Sequence, residues 1–136
     1  MRSTESRVAD AFISAINRRA VSEILSLMTD DHTLIDSGGG VQSGRDSMAA
    51  AWEAYFRTFP DYKIRVEHIL SDPGLVAVFG SACGTYNGRR GLVPENRIEM
   101  PAAWKAAVEQ GKVKLWQVYA DWTVGSKIIS EDAQTR

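Results

Sequence analysis

The sequence predicts an α+β domain in which three N-terminal helices pack on one face of a curved antiparallel β-sheet, with an apolar pocket between the layers. Three observations carry this reading. Apolar residues recur every three or four positions through much of residues 4–59, the period of helices with one buried stripe. Residues 62–129 instead alternate in twos or run apolar on both faces, as strands do. Turn-forming residues at 72–74 and 109–112 separate the long strands.

Val8, Ala11, Phe12, Ala15 and Ile16 place one stripe on a first helix over residues 4–17. Ser3 or Thr4 caps it, and Arg18 and Arg19 put favourable positive charge at its C-terminal end. Val21, Ile24, Leu25 and Met28 keep the spacing in a second, shorter helix, which Thr29, Asp30 and Asp31 stop. Residues 32–37 read as a short strand. Gly38, Gly39 and Gly40 turn the chain out of it, because glycine tolerates every backbone conformation. Ser43 and Asp46 have the spacing of a capping box for a third helix. Met48, Trp52, Tyr55, Phe56 and Phe59 form its stripe, and Pro60 limits it. Burying each such aromatic contributes roughly 1.5–3 kcal/mol, so this helix needs a broad apolar surface beneath it.

The sheet supplies that surface. Tyr62, Ile64, Val66, His68 and Leu70 alternate with Lys63, Arg65 and Glu67, which gives a strand one wet face. Residues 75–86 are apolar or small on both faces, as in a covered strand. Residues 87–96 form a long loop, residues 98–109 a third long strand, and residues 112–129 a fourth. The domain then spans residues 1–129, followed by a flexible polar tail at 130–136.

Composition excludes several functions. The chain has 136 residues, 44% of them hydrophobic, with a formal net charge of −1, enough for one domain with a real core. Its basic residues are scattered, whereas nucleic acid or an anionic membrane needs them clustered. Cys83 is the single cysteine, so no intramolecular disulfide forms and a reducing compartment fits. Residues 1–10 lack the apolar segment of a secretory signal, and no apolar run reaches membrane-spanning length. A soluble, cytoplasmic protein is expected. His32 and His68 are the only histidines, so no conventional metal-ligand set assembles, and no cofactor is expected.

Asp36, beside Leu34 and Ile35 and near Val41, is costly to bury without a partner. It is either a pocket carboxylate whose pKa desolvation raises for use as a base, or a turn aspartate bonded to the glycine backbone. Asp121 shares alternation with Leu115, Gln117 and Tyr119; if that face meets the helices, it is buried there as an acid or base, or as a structural carboxylate. His68 points to the apolar side of its strand. Trp52, Tyr55, Phe56, Trp104 and Tyr119 line an aromatic cavity for a flat ligand, or pack as ordinary core. His32 is exposed helix-end chemistry and Cys83 inert core. Both alternations of the closing strand are apolar, so a second subunit should cover the outer face, giving a homodimer through the sheet.

Three stretches, FISAINRR...SEILSLMTDDHTLIDSGG, SGRDSMAAAWEAYF and VEQGKVKLWQVYAD, together with the order of elements, resemble the nuclear transport factor 2-like superfamily. That group includes ketosteroid isomerases, SnoaL-like polyketide cyclases and limonene epoxide hydrolases. The resemblance covers residues 8–129 and implies a cone-shaped barrel around a ligand pocket. Asp36 falls where the isomerase pattern places its general base. Phe12 stands at that pattern's oxyanion tyrosine, and Ala103 near its protonated aspartic acid. One lost oxyanion donor costs roughly 2.7–4 kcal/mol of transition-state stabilisation, so ordinary steroid isomerisation is rejected. In the epoxide hydrolase pattern Asp121 matches the closing-strand aspartate and Asp36 an asparagine, but the Arg-x-Asp pair falls near Gly80 and Ala82. The resemblance therefore implies a small-molecule-binding SnoaL-like protein. As an isomerase or cyclase it would use Asp36 and Asp121 for proton transfer on a hydrophobic or polycyclic substrate, with Phe12 and His68 joining the aromatic residues of the pocket. The alternatives are a non-catalytic carrier and a protein-interaction module.

Overall fold

The computed structural model describes residues 2–135. In chain order the elements are α1 (Thr4–Asn17), α2 (Val21–Ser26), β1 (Met28–Ile35), β2 (Val41–Ser43), α3 (Arg45–Thr58), β3 (Lys63–Asp72), β4 (Leu75–Thr85), β5 (Arg97–Glu109), β6 (Lys112–Ala120) and α4 (Thr123–Ala133). One curved sheet holds all six strands in the order β2-β1-β6-β5-β4-β3. It is antiparallel except where β1 runs parallel to β6. The α+β cone expected from the sequence is the fold observed.

α1 forms where its stripe predicts. Ser3 caps it by accepting from the Ser6 N–H, and Ala9, Phe12, Ile13, Ala15 and Ile16 are buried. The helix is fastened to β3, an edge strand, at both ends. The Asn17 amide donates to the Ile64 carbonyl at 2.9 Å and accepts from the Ile64 N–H at 2.8 Å, standing in for a neighbouring strand. At the other end Glu5 accepts from the N–H of Gly74, in the turn that follows β3, at 2.9 Å.

Several expectations need correction. β1 starts at Met28, four residues before the expected strand, so Thr29, Asp30 and Asp31 belong to a strand rather than to a helix stop. No capping box forms at α3: its N-cap is Gly44, at φ 95° with no side-chain bond, and Ser43 pairs with Thr33 in the sheet. Residues 123–133 form α4 rather than the end of a fourth long strand and the start of a loose tail, and Asp132 is buried. Arg136, the last residue of the expected tail, lies outside the described residues.

The largest departure is on β3. Its register against β4 shifts between Val66 and His68, a β-bulge that moves the following residues to the opposite face. Gly80 sits opposite the bulge, and a Cβ there would lie 1.8 Å from the Arg65 carbonyl oxygen. Only glycine lets the two backbones approach this closely. Gly80→Ala is therefore expected to destabilise the fold by roughly 1–3 kcal/mol, read as a lower urea midpoint. An unchanged midpoint would show that the bulge does not depend on Gly80.

Candidate functional site: an aromatic cavity between α3 and the sheet

A cavity of about 500 Å³ lies between α3 and the concave face of the sheet, within the usual range for small-molecule sites. Its floor is hollow because the residues that face it are small. Ala120 pairs with Ala102 and Ala102 with Gly80, a row across three strands, with Ala82 and Gly84 nearby in the lining. Ala51, Trp52 and Tyr55 of α3, with Phe59 just beyond it, supply further wall, together with Tyr62, Met100, Trp116 and Trp122 among others. Asp36, Ser37, Gly38 and Gln42 come from the segment around β2.

Asp36 continues the alternation of His32 and Leu34 beyond the end of β1, and this brings it to the cavity. It is exposed rather than desolvated. Its Oδ1 accepts from the N–H groups of Gly38 and Gly40, both at 2.9 Å. It is thus a turn aspartate that also borders the cavity. Among the described residues it is the only charged group that does so.

Asp121 is not brought to the same place. It is exposed, and its Oδ1 accepts from the Thr123 N–H at 3.0 Å and the Thr123 hydroxyl at 2.6 Å at the start of α4. These bonds to Thr123 hold its carboxyl below the usual range. The inward alternation of β6 is Trp116, Val118 and Ala120, not the one that Asp121 shares.

The aromatic residues divide into layers. Trp52 and Tyr55 line the cavity as expected. Phe12 and Trp104 lie one layer behind, supporting Trp116 at ring distances of 5.0 and 6.3 Å. Phe56 packs behind Trp52 at 5.4 Å. His68 and Tyr119 are on the outer face: the register aligns His68, Phe79, Ala103 and Tyr119 in one row across four strands, and His68, Phe79 and Tyr119 are exposed. Ala103 is thus turned outward, and its inward neighbours, Ala102 and Trp104, carry no carboxyl group either.

Phe59, Tyr62, Trp116 and Trp122 are the aromatic lining residues that sequence reasoning missed. Trp116 and Trp122 were visible as the larger apolar residues of the closing segment. Burial pushes the Tyr55 phenol up to about 12, partly offset by the neighbouring Tyr62 side chain. Burial also pushes Tyr62 well above its ordinary value, with Tyr55 and Cys83 adding to the effect. Both phenols therefore stay protonated, as donors, at neutral pH.

α4 holds Trp122 against Phe59, edge-on at 6.2 Å. The helix is latched by Asp132, whose carboxylate accepts from the N–H groups of Arg89 and Arg90 and from the Asn96 amide at 2.7–2.9 Å. Burial raises this carboxyl, but the bonds from Asn96, Arg90 and Arg89 outweigh it and leave the group below its usual range.

The fold is shared with known proteins. A family model for the SnoaL-like domain matches residues 9–116. The chain belongs to the SnoaL-like family. No curated protein sequence matches it significantly. Among solved structures, a candidate SnoaL-like polyketide cyclase from Jannaschia sp. CCS1 superposes with a TM-score of 0.81 at 17% identity, covering 96% of each chain. A ketosteroid isomerase-like protein from Catenulispora acidiphila, solved with trimethylamine, has a TM-score of 0.78 at 14% identity, covering 90% of this chain and 92% of that one. An LEH-like epoxide hydrolase from M. tuberculosis scores 0.75 at 16% identity, covering 93% of this SnoaL-like chain and 90% of its own. At these identities the likeness shows the fold alone.

His32, expected at the surface, is fully buried. Its Nδ1 lies 2.7 Å from the Val113 carbonyl, which fixes Nδ1 as the protonated nitrogen, and its Nε2 has no partner among the described residues. Burial lowers its pKa below 6.5, only partly opposed by the Val113 bond. The folded state therefore binds this proton less readily than the unfolded chain. Stability from His32 is full above pH 6.5 and is lost as pH falls from there through the lower folded value. Urea midpoints should fall between pH 7.5 and 5 in wild type and fall less in His32→Gln. Equal slopes in the two proteins would contradict this.

Proposed function

We propose that this SnoaL-like protein binds a hydrophobic or polycyclic small molecule in the α3 cavity and uses Asp36 to move a proton on it. The observation that carries the reading is that Asp36 is the sole charged residue among the described residues lining a predominantly apolar cavity. One carboxylate suffices for a shuttle. It takes a proton from the carbon beside a carbonyl, forming O–H as C–H breaks, and returns that proton elsewhere on the resulting enolate, so the carboxylate is regenerated. The two-carboxylate relay through Asp121 is set aside, because Asp121 is engaged with Thr123 outside the cavity lining.

A second reading is a carrier. The bonds that tie Asp36 to Gly38 and Gly40 favour it, since a turn aspartate fixes a ligand's polar end as readily as it takes a proton. Deuterium exchange at the α-carbon of a fused-ring ketone such as 1-tetralone, followed by NMR, separates the two. Catalysis predicts exchange by wild type that Asp36→Asn slows roughly 100- to 10,000-fold while binding persists. Binding without exchange in wild type would instead support the carrier.

We further propose that a second copy of this chain covers the outer sheet face, where Leu70, Leu75, Phe79 and Tyr119 are exposed around small Ala77 and Ala103. Free, buried Cys83 suits a reducing compartment such as the cytoplasm, and no helix among the described residues is long and apolar enough to cross a membrane. Sedimentation at micromolar concentration should give a dimer that Phe79→Glu dissociates. A wild-type monomer would remove the proposal.

A further inference from the structure

We propose that the cavity takes an organic cation: an amphiphile whose protonated amine meets Asp36 at the mouth and whose apolar body lies among the aromatic rings. This rests on the small-molecule reading above and names the chemistry of the polar end that Asp36 holds. The Asp36 carboxylate is only half used by the protein. Oδ1 accepts from the Gly38 and Gly40 N–H groups, while Oδ2 accepts no hydrogen bond from the described residues. Gly40 leaves Oδ2 uncovered, since a Cβ there would lie 2.6 Å from it. No basic side chain among the described residues pairs with Asp36, whereas Asp30, Asp31 and Asp132 are met by Arg45, Lys114 and Arg90.

The lining separates this charge from the apolar wall. Asp36, Ser37, Gly38 and Gln42 are exposed, whereas Trp52, Phe59 and Trp116 are buried. A ligand therefore meets polar groups where the cavity opens and rings where it is enclosed. Aromatic rings attract a cation as well as apolar surface, so Trp52, Tyr55, Phe59, Trp116 and Trp122 add to the pull of the single carboxylate.

The same lining selects against other polar ends. It contains no Lys, Arg or His among the described residues, so a carboxylate or phosphate would face Asp36 without a counter-charge. A hydroxyl can donate to Oδ2 but leaves its negative charge uncompensated. An ammonium group both donates to Oδ2 and neutralises it, and such charge-assisted bonds are the stronger ones.

Three naphthalenes that share a body and differ in charge test the assignment: 2-naphthylmethylamine, a cation at neutral pH; 2-naphthylmethanol, neutral; and 2-naphthylacetate, an anion. Calorimetry on the wild-type protein at low salt should show the amine bound about five- to twentyfold more tightly than the alcohol, with the anion weakest. Raising salt to about 0.5 M should shrink that preference, because salt screens a charge pair at an open mouth. Asp36→Asn keeps an oxygen for the two glycine N–H groups and removes the charge, so it should bring amine and alcohol to within about threefold. The salt series on wild type gives the same readout if the variant does not fold. Equal or tighter binding of the alcohol by wild type would overturn the cation and leave the cavity reading standing. So would a preference left unchanged by Asp36→Asn, or by high salt where the variant does not fold. If none of the three compounds binds, the cavity reading and the cation fall together.

Discussion

Protein interiors are packed to the density of organic crystals, so a hollow persists only where side chains cannot reach across it. Here Ala120, Ala102 and Gly80 lie in register across three neighbouring strands, beneath a helix that carries Trp52 and Tyr55. The small row leaves the space, and the curvature of the sheet brings α3 over it. Asp36, Trp122 and the tyrosine pair border that space. Gly80 acts twice, since its missing side chain extends the row and also admits the Arg65 carbonyl where β3 bulges.

The bulge decides which side of the protein several residues serve. Strict alternation from Tyr62 and Ile64 would send His68 and Leu70 inward. One extra residue reverses this, and His68 emerges beside Phe79 on the outer face. The concave side is thereby left to aromatic and small residues. The outer side gains His68 and Leu70 beside exposed Phe79 and Tyr119.

Much of the fold was legible because it rests on local periodicity. α1 and α3 follow their stripes, and β4 and β5 lie close to their expected bounds. The failures share a physical cause in long-range pairing. β1 begins at Met28, paired with Val113 of its parallel partner β6, and the polar TDD segment that follows lies in the register shift before Thr33. The inward face of β6 is set by its partners, so Asp121 was placed on the wrong side. Residues 123–133 carry helical spacing in Gly125, Ile128 and Ile129, but the run continues an apolar strand without a break and read as its extension. Within the site, Asp36, Trp52 and Tyr55 were found because strand parity and helix stripe both point them inward. Phe12, Phe56 and Trp104 had equally good stripes and form the layer behind, a distinction of depth that periodicity does not carry.

If the hollow under α3 is the functional site, filling it should abolish binding and leave the fold intact. The most direct measurement uses prodan, an environment-sensitive naphthalene ketone, with wild-type protein and with Ala102→Trp, which places an indole in the small row. Wild type should bind prodan and shift its emission to the blue, whereas Ala102→Trp should give no shift while keeping its circular dichroism and a cooperative melt. An equal blue shift and affinity in the variant would place ligand binding elsewhere on the molecule and contradict the account.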